Sequence, residues 1–327
     1  MRVVITGGTG MLGKKLAAEI LKRGSLTLRD GKAHAVTKIV LFDVSAGFDV
    51  PVDPRIEVRI GEVDHKPTIA SLITPDTAAV FHLAGVVSAG AERDFDLGYR
   101  VNLDGTRVVL EACRALPQPI KLVFASSLAA YGGDLPDVIP DDFRPTPQTS
   151  YGGQKVMGEL LCADYARKGF VDARALRLPT IVVRPGKPNL AASTFASSIV
   201  REPLAGLPAV CPVDPGSWMP LLSPRRCVNA FIHAHDLPDT AWGWNRALLL
   251  PSLDVTVKDI GDGLKRVAGQ KAYDLIEWKI DPMIQKIVAG WPRRMAGKRA
   301  LSMGFTVDAS VDELIRNYIE DDMPKAG

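Results

Sequence analysis

The chain has 327 residues, 46% of them hydrophobic, and a net charge of only +3, so it can bury a large core and has the composition of an ordinary globular protein. Its most basic stretch, Trp291–Arg299, reads as a solvated surface segment, and no block of like charge predicts a nucleic-acid partner. No run of ~18 apolar residues predicts a membrane span, and a strand beginning at residue 2 leaves no room for a signal peptide.

Val3–Ile5 is a short β-branched run that breaks into glycines and then into a helical pattern over Met11–Leu21. Gly8, Gly10 and Gly13 satisfy G-x-G-x-x-G, and Gly7, Gly10 and Gly13 satisfy G-x-x-G-x-x-G. In a strand–turn–helix context such a turn lets a pyrophosphate approach the backbone, with the helical N–H groups from Met11, Leu12 and Gly13 onward facing its charge. A glycine-rich loop without a ligand is the plainer alternative. Next comes a hairpin-like excursion, Gly24–Thr37, and then an apolar strand, Lys38–Phe42, closed by Asp43. An acid there accepts hydrogen bonds from the adenosine ribose and repels a 2′-phosphate, which predicts NAD rather than NADP; a simple turn acid is the other reading.

Ile56–Ile60 is a third strand, followed by Glu62 and Val63 at the level of the adenine. Lys66–Ile73 is a short helix, and Ala79–Leu83 a fourth strand. After it, Leu83, Ala84 and Gly85 are small enough for close approach to a cofactor. Apolar spacing predicts one long helix over most of Ala91–Leu116. Ile120–Ala125 is a fifth strand, Tyr151–Lys168 a helix and Ala173–Leu178 a sixth strand. Alternating strands and helices predict an α/β fold with a doubly wound parallel sheet. Beyond Leu178 prolines crowd in, predicting a loop-rich lobe with helices at Val257–Val267, Pro282–Ala289 and Val311–Glu320. The domains expected are 1–178 for the cofactor and 179–327 mainly for substrate, with some elements possible back in the sheet.

Cys113, Cys162, Cys211 and Cys227 are scattered, as in a reduced cytoplasmic protein. His233 and His235, two apart, would share a face of a strand; without clustered partners they predict no metal site.

Tyr151 and Lys155 stand one helical turn apart on a shared face. The lysine ammonium favours the phenolate, so the tyrosine can take a hydroxyl proton as hydride leaves the neighbouring carbon; the lysine can also hold the nicotinamide ribose. Upstream, at the end of the fifth strand, Ser127 can bond the reacting oxygen and Ser126 would face the cofactor or the tyrosine, with helix capping as the alternative role for both.

Thr6–Gly13, Phe81–Gly85, Asn102–Thr106, Ser126–Ser127 and Tyr151-x-x-x-Lys155 together resemble the extended short-chain dehydrogenase/reductase family, over roughly residues 1–185. That resemblance implies a Rossmann-like cofactor domain with a smaller C-terminal substrate lobe, a catalytic set of Ser127, Tyr151 and Lys155, and a role for Asn102 in stabilising the active-site backbone. Pro179, directly after the sixth strand, joins the expected cofactor residues. The resemblance also implies a homodimer through the 91–116 and 151–168 helices. Dehydratases of the family carry Asp-Glu after the catalytic serine or threonine, whereas this chain has Leu128–Ala129.

The segment Leu176–Ser193 resembles the D-erythronate-oxidising branch, which implies hydride transfer from C2 of a small sugar acid to NAD. A carboxylate calls for a bidentate arginine, with Arg184, Arg225 and Arg226 as candidates, although Arg184 serves equally well as a structural partner. Ser88, Thr180, Asn189 and Ser193 are candidates for the substrate hydroxyls. A nucleotide-sugar 4-epimerase with tightly bound NAD and a non-catalytic dinucleotide sensor are the alternatives.

Overall fold

A computed structural model of the chain describes residues 1–186 and 192–323; Asn189 lies outside them. The chain forms two compact units, one of Met1–Ala130, Pro147–Arg177 and Val228–Leu248, the other of Tyr131–Thr146, Leu178–Cys227 and Leu249–Gly327. The first unit thus takes in 228–248 and the second 131–146.

A seven-stranded sheet organises the first unit, in the order Ile56–Ile60, Lys38–Asp43, Arg2–Thr6, Thr77–His82, Lys121–Ser127, Asp172–Leu178, Ala247–Leu249. Its first five strands pair in parallel. Runs such as Val3–Ile5 and Leu122–Phe124 are wholly buried, as a sheet covered on both faces requires. One face packs Val4, Val40, Val80 and Leu122 against Ile69, Val109, Leu110 and Cys162 from the helices. From Arg2–Thr6 the chain adds strands on one side and then crosses to Thr77–His82 on the other. The topological switch, where α/β sheets collect ligands, therefore lies between those two strands. The excursion after the first helix is a true hairpin, Ser25–Thr27 antiparallel to Ala33–Ala35.

The long helix expected over Ala91–Leu116 is instead four pieces: Ser88–Arg93, Phe95–Gly98, a π-helical Tyr99–Asp104 and Gly105–Arg114. Asp94 causes the break. Its backbone is extended (φ −127°, ψ 90°) and its carboxylate accepts the Leu97 N–H at 2.9 Å, so it ends one helix and caps the next. The π-helical turn carries Asn102, which is buried.

In the second unit Thr180–Ile181 pairs in parallel with Trp218–Leu222, which pairs antiparallel with Leu253–Thr256. Helices Thr194–Leu204, Val257–Ala268 and Val311–Asp322 enclose a core of Phe195, Ile199, Leu221, Ile260, Leu264 and Leu314. Val257–Ala268 opens with a capping box, Thr256 and Asp259 each holding the other's backbone N–H. His233 and His235 lie on the helix Pro224–Asp236, not on a strand, so their spacing does not put them on one face. Among the described residues no helix is long and apolar enough to cross a membrane.

Candidate active site

The glycine turn is built for close approach. Gly7 has φ +68°, and a Cβ there would sit 2.7 Å from Ala84 N; a Cβ on Gly13 would sit 2.4 Å from Gly7 O. The turn thus interlocks with the loop after Thr77–His82, directly over the topological switch. Gly10 is exposed at the N-terminus of Met11–Arg23, which carries no side-chain cap and no acid in its first turn. Such an end favours an anion. Asp43 closes its strand, its Oδ2 accepting Thr9 N–H (3.2 Å) and its Oδ1 accepting Val44 N–H (2.8 Å). Glu62 is exposed, while Val63 is packed into the sheet's hydrophobic cluster.

Behind the turn runs a buried polar chain. Thr106 donates its hydroxyl proton to Asn102 O (2.6 Å), so His82 Nε2 must carry hydrogen and donate to Thr106 Oγ1 (3.0 Å). His82 Nδ1 then accepts from the Thr6 hydroxyl at 2.6 Å. Burial, with help from the Lys155 charge, pushes the imidazole down to about 3, so it is neutral. Asn102 grips the Val86 backbone at both ends, accepting its N–H (2.8 Å) and donating to its carbonyl (3.0 Å), and donates also to Gln154 Oε1 (2.7 Å). Gln154 sits between Tyr151 and Lys155, so the loop after Thr77–His82 is tied to the helix that carries both. Neither His82 nor Gln154 was singled out from sequence, although each lies inside a motif that was.

That helix, Ser150–Arg167, is capped by Thr149, whose hydroxyl accepts Gly152 N–H at 3.1 Å. A Cβ on Gly152 would fall 2.1 Å from Ala129 O, so the helix start presses against the turn following Ser127. This close approach brings Ser127 and Tyr151 into one neighbourhood. The Ser127 hydroxyl accepts Ala129 N–H at 3.1 Å. Lys155 is only 3% exposed, its Nζ 4.8 Å from the centre of the Phe124 ring and 5.5 Å from that of Tyr151. Burial lowers its ammonium to about 8. The same Nζ would lie 3.3 Å from a Cβ on Gly85, so it faces the loop after Thr77–His82.

Ser126 is buried. Its hydroxyl bonds the Glu159 carboxylate, which also takes a bidentate fork from Arg177 (Nε 2.9 Å, Nη2 2.6 Å). Glu159 follows Lys155 by one turn of the same helix and joins it to the sixth strand.

Within the second unit, Arg184 donates to Ile181 O (2.9 Å) and Ser193 Oγ (2.9 Å), and its N–H donates to Ser197 Oγ (3.0 Å). Pro179 and Thr180 are buried there. The other two candidate arginines are committed to acids, Arg225 to Asp321 (2.6 Å) and Glu320 (2.9 Å) and Arg226 to Glu313 (2.6 Å). Ser88 is half-buried at the start of Ser88–Arg93 in the first unit.

In the first unit, then, a bare glycine turn, an uncapped helix end, a strand-end carboxylate and a buried ammonium beside the turn stand together. They fit the pyrophosphate, the adenosine ribose and the nicotinamide ribose of a dinucleotide, with a phenol beside the last. The chain is 50% identical to a D-erythronate dehydrogenase of Cupriavidus necator over 98% of each chain, and 44% identical to one of Haemophilus influenzae over 99% of this chain and 100% of that one. A crystal structure described as a nucleoside-diphosphate-sugar epimerase from Agrobacterium tumefaciens superposes with TM-score 0.93 at 41% identity, covering 98% of this chain and 94% of that one. Residues 3–243 match the NAD dependent epimerase/dehydratase family over its strand–turn–helix and Tyr-x-x-x-Lys elements alike, and the chain belongs to that family.

Proposed function

We propose that this chain oxidises D-erythronate to 2-oxo-D-erythronate with NAD. The observation that carries the proposal is the near-full-length identity to two D-erythronate dehydrogenases, joined to a Tyr151–Lys155 pair set against the Ser127 turn. NAD, when bound, supplies the hydride acceptor. The glycine turn with Met11 and Leu12, Asp43, Glu62, Val63 and Leu83–Gly85 hold it. Lys155, facing Gly85, reaches the nicotinamide ribose. Ser127 orients the C2 hydroxyl of the substrate, and Tyr151 takes the hydroxyl proton as the C2 hydride leaves. The protonated Lys155, buried and 5.5 Å from the centre of the Tyr151 ring, stabilises the phenolate form of Tyr151. Ser88, Thr180 and Ser193 are assigned to the substrate hydroxyls. Of the three arginines the proposal assigns Arg184, whose guanidinium lies beside Ser193, to the carboxylate.

The Agrobacterium structure's description supports a second reading, a nucleotide-sugar 4-epimerase. Absorbance at ~340 nm separates the two, because an epimerase returns its hydride within each turnover while a dehydrogenase accumulates NADH. D-erythronate with NAD gives a steady rise, and other C4–C6 aldonic and uronic acids a smaller one. Conversion of UDP-hexoses with no net reduction would establish the epimerase instead. No turnover of either class beside tight NAD binding would leave a dinucleotide sensor.

We further propose a homodimer built on the helices Gly105–Arg114 and Ser150–Arg167. Tyr165 bonds Glu111 across them, and Leu160 is 65% exposed on the second. Leu160→Lys halves the mass seen by sedimentation velocity; an unchanged mass places the interface elsewhere.

A further inference from the structure

Thr9, the residue between two glycines of the turn, has a wider role than the motif requires. It is 6% exposed. Its N–H reaches Asp43 Oδ2 at 3.2 Å, and its hydroxyl donates to Ser45 O at 3.0 Å. Two residues later Gly47 has φ +68°, and a Cβ there would lie 2.6 Å from Thr9 Cβ, so the loop after Lys38–Asp43 lies directly on this side chain. Lys14 Nζ adds a third tie, to Phe48 O at 2.5 Å. The loop itself buries little: Val44 is 71% exposed and Phe48 87% exposed. A loop without apolar burial is held in place by its polar ties.

We propose that Thr9 and Gly47 form a latch that sets coenzyme specificity by fixing the Asp43 carboxylate. Asp43 discriminates only if its charge stays where a ribose hydroxyl finds it and a 2′-phosphate meets it. Val44 N–H holds one oxygen and Thr9 N–H the other, and the Thr9 hydroxyl and the Gly47 approach hold the loop that follows Asp43 against the turn that carries Thr9. Thr9 is thus a positioning residue for the adenosine half of the cofactor. This inference rests on the NAD reading given above.

Thr9→Val keeps the shape and the N–H but removes the hydroxyl tie; Gly47→Ala strains a left-handed backbone and collides with Thr9. Titration by NADH and NADPH fluorescence, with no substrate present, measures both affinities directly. Thr9→Val weakens NADH by about tenfold, the size of one hydrogen bond, and leaves NADPH nearly unchanged, so the preference narrows about tenfold. Gly47→Ala narrows it at least as much, and Thr9→Ser, which keeps the hydroxyl, restores it to within about twofold. A purely structural Thr9 would lower the melting temperature and weaken both coenzymes alike. Equal weakening, or an unchanged preference in Thr9→Val and Gly47→Ala, overturns the latch. A native chain that binds neither coenzyme overturns the cofactor reading and the latch with it.

Discussion

Tyr151→Phe lowers turnover of the sugar acid by about 10²–10⁴-fold, the usual contribution of one positioned acid–base group, while NADH affinity stays within about twofold. The two readouts part because, in the proposed mechanism, the phenol oxygen serves the substrate proton, whereas the glycine turn, Asp43 and Lys155 hold the coenzyme. The helix start that carries the ring is fixed at both sides: Thr149 caps it, and Gly152 is seated on Ala129 O. Phenylalanine therefore deletes an oxygen and leaves the packing intact. Steady-state NADH production and a separate fluorescence titration check both halves. Wild-type turnover in the variant would remove Tyr151 from the proton transfer.

Lys155→Met has a comparably large effect, on stability and with a definite pH dependence. The lysine titrates at about 8 in the folded protein against an ordinary 10.5, chiefly because burial disfavours its charge. Between those two values the unfolded chain binds the additional proton, so this group makes native stability rise with pH; its contribution is complete above 10.5 and lost as pH falls through about 8. At ~1.4 kcal/mol for each pH unit the full span is ~3 kcal/mol. Methionine cannot titrate. Relative to the native chain, the variant is therefore most favoured near pH 7, and that advantage shrinks by about 3 kcal/mol on going to pH 10.5 and above. Urea unfolding of the apoprotein at several pH values measures the gap. A gap independent of pH would show that the lysine is not buried as a charge. In the proposed mechanism the variant also loses turnover, because the ammonium that burial disfavours is the one the phenol needs.

The hairpin Ser25–Ala35, the glycine turn and the Tyr151–Lys155 pair were all legible because each depends on residues close together in the chain. Asp94 was not. Its place in a helical apolar pattern conceals that its carboxylate caps a new helix, and the π-helical turn that follows has no signature in the apolar spacing. The partner of Ser126 was hidden for a different reason. A serine in a Ser-Ser pair has no local mark of its partner, and Glu159 lies 33 residues away on another element. Only packing shows that the Glu159–Arg177 fork has taken its hydroxyl. The candidate arginines were alike as sequence, and only the fold shows that Arg225 and Arg226 pair with the acids of Val311–Asp322.

Sequence alone determined the parallel α/β architecture, the coenzyme turn and the one-turn spacing of phenol and ammonium, because strand burial, glycine geometry and helical periodicity act over a few neighbouring residues. Tertiary structure alone decided which polar groups are already satisfied. Thr6, His82, Thr106, Asn102 and Gln154 come from five separate elements, and hydrogen bonds between buried groups form only where the fold delivers their partners.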